Sequence, residues 1–142
     1  MVLRFLKTCA TVLCLSVLIG TTARADVAFL VILKVPQANE DAFDALAEKM
    51  LDASKADEGL LIYEFARTGE TVYGYERYTD DAAHERHQVL IKRFLPELIE
   101  LAEFERIVTL TDISERSRPG FEAMGAEIGA LIGGVAQGSL GD

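Results

Sequence analysis

The chain has 142 residues, of which 50% are hydrophobic and 26% are charged. This length suits one domain, and the composition excludes a collagen-like or wholly disordered chain. The formal charge of −9 argues against nucleic acid as a partner, because an acidic surface repels the phosphate backbone and the basic residues are scattered.

Residues 1–25 have the pattern of a secretory signal peptide. Arg4 and Lys7 precede an apolar run over residues 8–19, and the segment ends in Ala-Arg-Ala, the small-x-small pattern that signal peptidase accepts. The run is shorter than the ~20 residues that span a bilayer, so an uncleaved N-terminal anchor is the alternative interpretation. We predict a secreted or periplasmic protein with no stable membrane span after cleavage.

Both cysteines, Cys9 and Cys14, lie within this segment, so the predicted mature chain contains no thiol and no disulfide. A lipoprotein anchor at Cys14 would need a small residue before it, and the chain has Leu13 there. The sequence therefore does not favour a lipid anchor.

Hydropathy patterns beyond the predicted signal indicate strands and helices in a definite order. The apolar, β-branched run 27–35 predicts a central first strand covered on both faces. A helix is predicted from about 40 to 56, with apolar residues at three- and four-residue spacing and Asn39 as its N-cap. Residues 60–67 and 71–78 are aromatic, β-branched runs joined by a short glycine-containing turn, which predicts a hairpin.

A second helix and a last strand follow the hairpin. Thr79 or Asp80 can cap the helix, Pro96 can begin a further helical turn, and residues 104–113 predict the last strand. The inward side of the helix carries Ala83, His87, Leu90, Ile91 and Phe94. The resulting order is βαββαβ, the ferredoxin-like α+β fold, in which helices cover one face of an antiparallel sheet.

The other face of that sheet also needs a cover. On the hairpin, the side that carries Tyr73, Tyr75 and Arg77 is not purely polar. Dimerisation through this face explains the pattern, and we therefore expect a homodimer.

The composition changes after Ser114, and glycine becomes frequent from Gly120 onward. We predict a core domain of residues 26–114 and a glycine-rich C-terminal extension, residues 115–142, that lies outside the core. Two interpretations of the extension stay open. It is weakly ordered, or its apolar residues at helical spacing dock on a partner subunit or a neighbouring molecule.

The two histidines of the chain, His84 and His87, lie three residues apart on the second predicted helix. His87 lies on the apolar side and should point at the sheet, whereas His84 should face solvent. An inward histidine is either a hydrogen-bonded structural residue or a proton acceptor, because its ordinary pKa is near neutrality. The sequence has no strong metal motif around the pair, so no metal site is predicted.

Glu76 is predicted on the same face of the sheet as Tyr78, where a buried carboxylate needs a partner. It either stabilises the fold through an ion pair or hydrogen bond, or it orients His87 and raises its basicity. The sequence contains no phosphate-binding loop and no dinucleotide fingerprint, so no nucleotide cofactor is expected.

Two segments of the sequence resemble the antibiotic biosynthesis monooxygenase family. They are EGLLIYE at residues 58–64 and GYERYTDDAAHERH at residues 74–87. The family typically shows a glycine followed by a strand tyrosine, a strand glutamate, an aromatic residue shortly after it and a histidine on the next helix. These positions fall here at Gly59, Tyr63, Glu76, Tyr78 and His87. The resemblance covers about residues 27–114.

The resemblance implies a dimer in which the sheets of two ferredoxin-like subunits meet in an α+β barrel. It also implies oxidation of a phenol or quinol by molecular oxygen without flavin, metal or any other cofactor. The phenol loses a proton and its anion then reduces oxygen in a water-poor pocket. In this scheme His87 is the base and Glu76 is its orienting partner, while Tyr63, Tyr78 and Phe94 contact the substrate.

The chain departs from the family pattern at Tyr78, where many members have tryptophan, and it contains no tryptophan at all. Its first strand also lacks the asparagine that haem-degrading relatives use, so haem degradation is not expected. The sequence thus predicts a cofactor-independent monooxygenase that oxidises a small quinol or phenolic aromatic. The alternative is a protein of the same dimeric fold that binds a small molecule or a partner without turnover.

Overall fold

The computed structural model describes residues 26–134. The predicted signal peptide, residues 1–25, lies outside the described residues, as do residues 135–142 of the predicted extension. Cleavage and export therefore stay predictions. No helix in the described part of the chain is long and apolar enough to cross a membrane.

One antiparallel sheet organises the described residues. Its strands are β1 (Val27–Lys34), β2 (Leu60–Thr68), β3 (Thr71–Tyr78) and β4 (Glu103–Thr109). Their spatial order is β2-β3-β1-β4, which places the apolar first strand between two neighbours as predicted. This order, with helices between the strands, confirms the ferredoxin-like α+β fold class.

Three helices begin within one residue of their predicted starts, and the fourth and last was not predicted. They are α1 (Glu40–Ser54), α2 (Asp81–Ile91), α3 (Leu95–Leu101) and α4 (Arg118–Ala123). The carboxylate of Asp80 accepts the backbone N–H of Ala83 at 2.9 Å and so caps α2. Asn39 precedes α1 but its side chain does not cap the helix, because its Nδ2 donates to the carbonyl of Leu101 at 3.0 Å.

The buried apolar residues form two clusters on the helix-covered face of the sheet. The first cluster packs α1 and α3 around Leu46, and the second packs α2 and the chain beyond β4 around Phe29. Val31 of β1 contacts both clusters. Val31 therefore marks the place on the sheet where the two clusters adjoin.

The chain beyond β4 belongs to the second cluster, contrary to the prediction that residues 115–142 lie outside the core. Phe121 of α4 is completely buried, and its ring centroid lies 5.1 Å from those of Phe29 and His84. The prediction was wrong for this segment because the contacts join residues far apart in sequence and leave no local pattern. The division of the chain at residue 114 stays a prediction.

After α4 the backbone runs along the free edge of β4. The backbone N–H of Glu127 donates to Ile107 at 2.8 Å, and its carbonyl accepts from Thr109 at 3.0 Å. Further on, a Cβ added at Gly129 would lie 2.4 Å from the Thr109 carbonyl oxygen. Glycine therefore permits this close approach, which covers an edge that would otherwise expose unpaired backbone groups.

The opposite face of the sheet carries Leu30, Ile32, Tyr73 and Tyr75, which alternate with the helix-facing residues. These four side chains range from half-buried to exposed. A single subunit thus presents an apolar and aromatic sheet face, as the sequence predicted.

Candidate functional site

A cavity of about 330 Å³ lies between the sheet and the helices. Strand, helix and C-terminal residues all contribute to its wall, which is apolar apart from Tyr63, Glu76 and Gln88. Among the described wall residues, Glu76 is the only one that carries a charge. An apolar cavity with a few convergent polar groups is the usual form of a small-molecule site.

Strand pairing between β2 and β3 aims two pairs of residues into the cavity. Tyr63 lies opposite Glu76, and Phe65 lies opposite Gly74. A Cβ added at Gly74 would lie only 3.2 Å from the Phe65 ring. The absence of a side chain at Gly74 therefore makes room for the Phe65 ring and leaves the middle of the sheet open as the floor of the cavity.

An irregularity in β4 brings two of its residues to the cavity. Phe104 and Ile107 both line it, although residues three apart on a regular strand point to opposite faces. The pairing shifts between Ile32 and Leu33 of β1, so Phe104 lies opposite Leu33 whereas Arg106 lies opposite Ile32. The extra residue in β4 is a β-bulge that returns both side chains to the same face.

Glu76 is 6% exposed, and one oxygen of its carboxylate, Oε2, accepts a hydrogen bond from the Tyr78 hydroxyl. Burial raises the pKa of Glu76 to about 7, even though the hydrogen bond from Tyr78 acts in the opposite direction. Burial also raises the pKa of Tyr63 and Tyr78, so both phenols stay protonated at neutral pH. Glu76 alone among these three groups exchanges a proton near neutral pH.

His87 is completely buried behind Glu76. Its Nδ1 lies 2.9 Å from Oδ2 of Asp57, and its Nε2 lies 3.9 Å from Oε2 of Glu76, beyond hydrogen-bond length. Burial lowers the pKa of His87, while Asp57 opposes that shift. The rings of Tyr63 and Tyr78 flank the imidazole with centroids at 4.8 and 5.3 Å.

The structure brings His87, Glu76, Tyr63 and Tyr78 together, as the sequence led us to expect. Their arrangement differs from the predicted one, because Tyr63 and Glu76 line the cavity whereas His87 and Tyr78 stand behind them. Glu76 was expected to orient His87, yet it is bonded to Tyr78, and Asp57 occupies the Nδ1 side of the imidazole.

Phe94 was predicted to contact the substrate, but it stands outside the described cavity wall. It is half-buried against the first apolar cluster, and the Arg93 guanidinium lies 4.7 Å from its ring centroid. The predicted helix continued through Phe94, whereas α2 ends at Ile91 and a 3₁₀ turn follows over Lys92–Phe94. The α-helical spacing that grouped Phe94 with His87 and Ile91 does not extend into this turn, since 3₁₀ and α-helices differ in residues per turn.

Asp57 is the site residue that the sequence did not reveal. It lies in the turn between α1 and β2, where no hydrophobic periodicity marks inward positions. The nearby signal is Gly59, whose φ of +85° is a left-handed conformation that favours glycine. A Cβ at Gly59 would also lie 2.7 Å from the Cβ of Ala83, so this glycine lets the turn approach α2.

His84 was expected to face solvent, but it is only 7% exposed. Its ring stacks on Phe121 with an interplanar angle of 9° and meets Phe29 edge-on at 5.3 Å. Burial lowers the pKa of His84 to about 4. The expectation was wrong because the cover comes from the C-terminal segment.

The raised pKa of Glu76 predicts a pH-dependent stability difference between the wild type and Glu76→Gln. Between about pH 4.5 and 7 the unfolded carboxyl ionises while the folded one keeps its proton, so the wild type loses stability as pH rises. The loss relative to Glu76→Gln should approach about 3 kcal/mol. Both proteins retain the histidines, whose contributions cancel in the difference. Urea unfolding at about pH 4.5 and pH 8 measures it, and a difference independent of pH would contradict the raised pKa.

Fold and site together define a ferredoxin-like α+β domain with a carboxyl–histidine pair at an apolar cavity. Residues 27–89 match the family model described as antibiotic biosynthesis monooxygenase. This match agrees with the resemblance found in the sequence, and the family supports a monooxygenase-type function. No curated protein sequence matches the chain significantly.

Solved structures share the fold at low sequence identity. MupZ from Pseudomonas fluorescens is 20% identical with a TM-score of 0.75, and the match covers 82% of this chain and 98% of MupZ. Rv0793 from Mycobacterium tuberculosis is 20% identical with a TM-score of 0.55, covering 64% of this chain and 98% of that protein. A mutant of SnoaB, a cofactor-independent oxygenase from Streptomyces nogalater, is 16% identical with a TM-score of 0.54, covering 63% and 95%. These matches confirm the fold.

Proposed function

We propose that this protein is a cofactor-independent monooxygenase that oxidises a small quinol or phenol with molecular oxygen. The observation that carries the proposal is the position of Glu76, the charged residue of an otherwise apolar cavity, with a pKa of about 7. A base of this pKa lowers the free-energy cost of taking a phenol's proton by about 3 kcal/mol relative to an ordinary carboxylate. The family and the oxygenase fold neighbour support the same class of reaction.

The roles that the sequence suggested for the pair are exchanged in this proposal. Glu76 meets the substrate because it lines the cavity, and His87 supports Glu76 from behind. Tyr63 lies beside Glu76 on the cavity floor and can hydrogen-bond a substrate oxygen, since its hydroxyl stays protonated.

The reaction balances without any further reagent. The phenol passes its hydroxyl proton to Glu76, and the phenolate gives one electron to oxygen. The two radicals combine to form a C–O bond at a ring carbon that bears hydrogen, and the peroxide takes the proton back from Glu76. Loss of the C–H proton with cleavage of the O–O bond releases water and leaves a carbonyl. One oxygen atom thus enters the product and the other leaves as water.

We also propose that the protein is a homodimer that buries the sheet face bearing Leu30, Ile32 and Tyr73. Apolar and aromatic side chains on an otherwise open sheet face are typical of a surface that a second layer covers. Light scattering on residues 26–142 at micromolar concentration should give twice the mass of one chain. A monomer under these conditions would contradict the proposal.

Oxygen uptake by metal-stripped protein tests the function. A panel of quinols and phenols is supplied under labelled oxygen to the wild type, to His87→Ala and to Glu48→Gln, a control on the exposed side of α1. The wild type and the control should consume one oxygen molecule per substrate and place one labelled atom in the product. His87→Ala, once shown by circular dichroism to be folded, should lose most of this activity.

Two outcomes would overturn the proposed function. Absence of uptake across the panel, combined with tight binding of a small phenol, would identify a binding protein of the same fold. Uptake that yields hydrogen peroxide and no labelled product would identify an oxidase, because no C–O bond would have formed.

A further inference from the structure

Asp57 and His87 form a buried pair that the reaction outlined above leaves without a defined role. Their side chains are 6% and 0% exposed, and Oδ2 of Asp57 lies 2.9 Å from Nδ1 of His87. A buried carboxylate at this distance from a ring nitrogen accepts a hydrogen bond from it.

The backbone around Asp57 is fixed from both sides. Its N–H donates to Ser54 at 3.0 Å, and its carbonyl accepts from Leu60 at 3.3 Å. The carbonyl of Gly59 accepts the N–H of Thr79 at 2.8 Å, so the turn is tied to the end of β3. The carboxylate is therefore held in place by the fold rather than by a mobile loop.

The same turn is tied to α2, the helix that carries His87. The guanidinium of Arg86 donates to the carbonyl of Glu58 at 2.8 Å. This bond joins the residue after Asp57 to the residue before His87, so it holds the two side chains at a fixed separation.

The other ring nitrogen of His87 has a different surrounding. Nε2 is buried, and no hydrogen-bond partner for it is found within residues 26–134. The nearest acid is Glu76, with Oε2 at 3.9 Å, and the rings of Tyr63 and Tyr78 flank the imidazole. If Nδ1 carries the hydrogen of neutral imidazole, Nε2 offers a lone pair toward Glu76.

We propose that Asp57 is a positioning residue that holds His87 as its Nδ1–H tautomer, so that the free Nε2 receives the proton that Glu76 takes from the substrate. The transfer of the substrate's proton to Nε2 rests on the proposed function. The Nδ1–H tautomer does not depend on it. The proton moves from the Glu76 carboxyl to Nε2, which leaves an imidazolium between two carboxylates, and it returns by the same path to the peroxide.

The groups around the imidazole favour this arrangement. Asp57 faces it from the turn, Glu76 and Tyr78 from β3, and Tyr63 from β2, while His84 is its neighbour on α2. Burial lowers the pKa of His87, so the resting ring is neutral, while the Asp57 carboxylate opposes this shift and favours the protonated ring. A neutral ring has two tautomers, and the Asp57 carboxylate selects the one with hydrogen on Nδ1.

Nitrogen-15 NMR of the full chain tests the tautomer directly, with or without turnover. The chain has two histidines, so His84→Gln is enough to assign the ring signals. In the wild type at about pH 7.5, Nδ1 of His87 should show a protonated, pyrrole-type shift and Nε2 a pyridine-type shift. Asp57→Asn, whose amide both donates and accepts, should populate the other tautomer. A wild-type ring with hydrogen on Nε2 would overturn the proposal.

Kinetics tests the consequence for catalysis. Asp57→Asn should lower kcat by about 10- to 100-fold, the range known for metal-bound histidines that lose the partner of their other ring nitrogen, with KM nearly unchanged. Glu58→Gln, an exposed neighbour, should match the wild type, and Asp57→Glu should restore part of kcat. A folded Asp57→Asn with wild-type kcat would contradict the proposal.

If that variant does not fold, the wild-type NMR spectrum still decides the tautomer. If the tautomer is as proposed but no substrate turns over, the proposed function fails, whereas the role of Asp57 in fixing the tautomer of His87 is retained.

Discussion

Glu76→Gln is expected to lower kcat for phenol or quinol oxidation by about 10²- to 10⁴-fold, the usual contribution of a positioned acid–base group. Glutamine keeps the shape of glutamate and can still accept the hydrogen bond from the Tyr78 hydroxyl. It cannot take a proton at neutral pH, so the substrate's hydroxyl must ionise without help. KM should change little, because the apolar cavity wall that binds the ring is untouched.

The pH profile of the wild type provides a second measurement of the same effect. Glu76 must be ionised to accept a proton, and its pKa is about 7, so kcat/KM should rise with pH through about 7. Glu76→Gln should lose this rise along with the rate. Glu48→Gln, which removes an exposed carboxylate from α1, should keep both.

A different outcome would identify a different base. If folded Glu76→Gln retains kcat within a few-fold, another group in the cavity accepts the substrate's proton. The raised pKa of Glu76 would then play no part in catalysis. If the rise of kcat/KM near pH 7 persists in Glu76→Gln, another group produces it. His87 is then the first candidate, because its Nε2 lies 3.9 Å from the Glu76 carboxylate.

The sequence predicts this fold well because strands and helices have different hydrophobic periods. Alternation along residues 71–78 places Glu76 and Tyr78 on one face, and the three- and four-residue spacing on α2 turns His87 toward that face. Two such local patterns, brought together by a fold of known order, are enough to predict that Glu76 and His87 meet.

The parts of the site that escaped prediction depend on contacts between distant segments. Asp57 lies in a turn, where side-chain direction follows from how the chain docks on α2 rather than from any period. His84 lies on a helix side that looks solvent-facing until Phe121 covers it. Phe94 was predicted to contact the substrate from α-helical spacing, but it lies in a 3₁₀ turn after α2. Local sequence cannot show any of these three.

The buried carboxyl illustrates why a site residue can oppose stability. Glu76 sits between two apolar clusters with Tyr78 as its hydrogen-bond donor and His87 slightly beyond hydrogen-bond reach. Burial raises its pKa to about 7, which costs stability at neutral pH but gives the cavity a base of useful strength.

Phe121→Ala is expected to lower the free energy of unfolding by about 3–5 kcal/mol, the usual loss for a phenylalanine removed from a core. Phe121 is completely buried, and it packs edge-on against Phe29 and face-to-face on His84. The substitution leaves a void in the second apolar cluster and admits water to His84, whose pKa should then rise from about 4 toward its ordinary value.

Phe104→Ala is the matched control, because it removes the same side chain from a position that is 42% exposed. Urea unfolding of the wild type and both variants gives the three free energies, and NMR titration of His84 gives its pKa. We expect the loss at Phe121 to exceed the loss at Phe104 clearly, because less apolar surface is buried at Phe104. Equal losses, with the pKa of His84 unchanged, would mean that the segment after β4 does not pack on the domain, and the prediction of an extension outside the core would be restored.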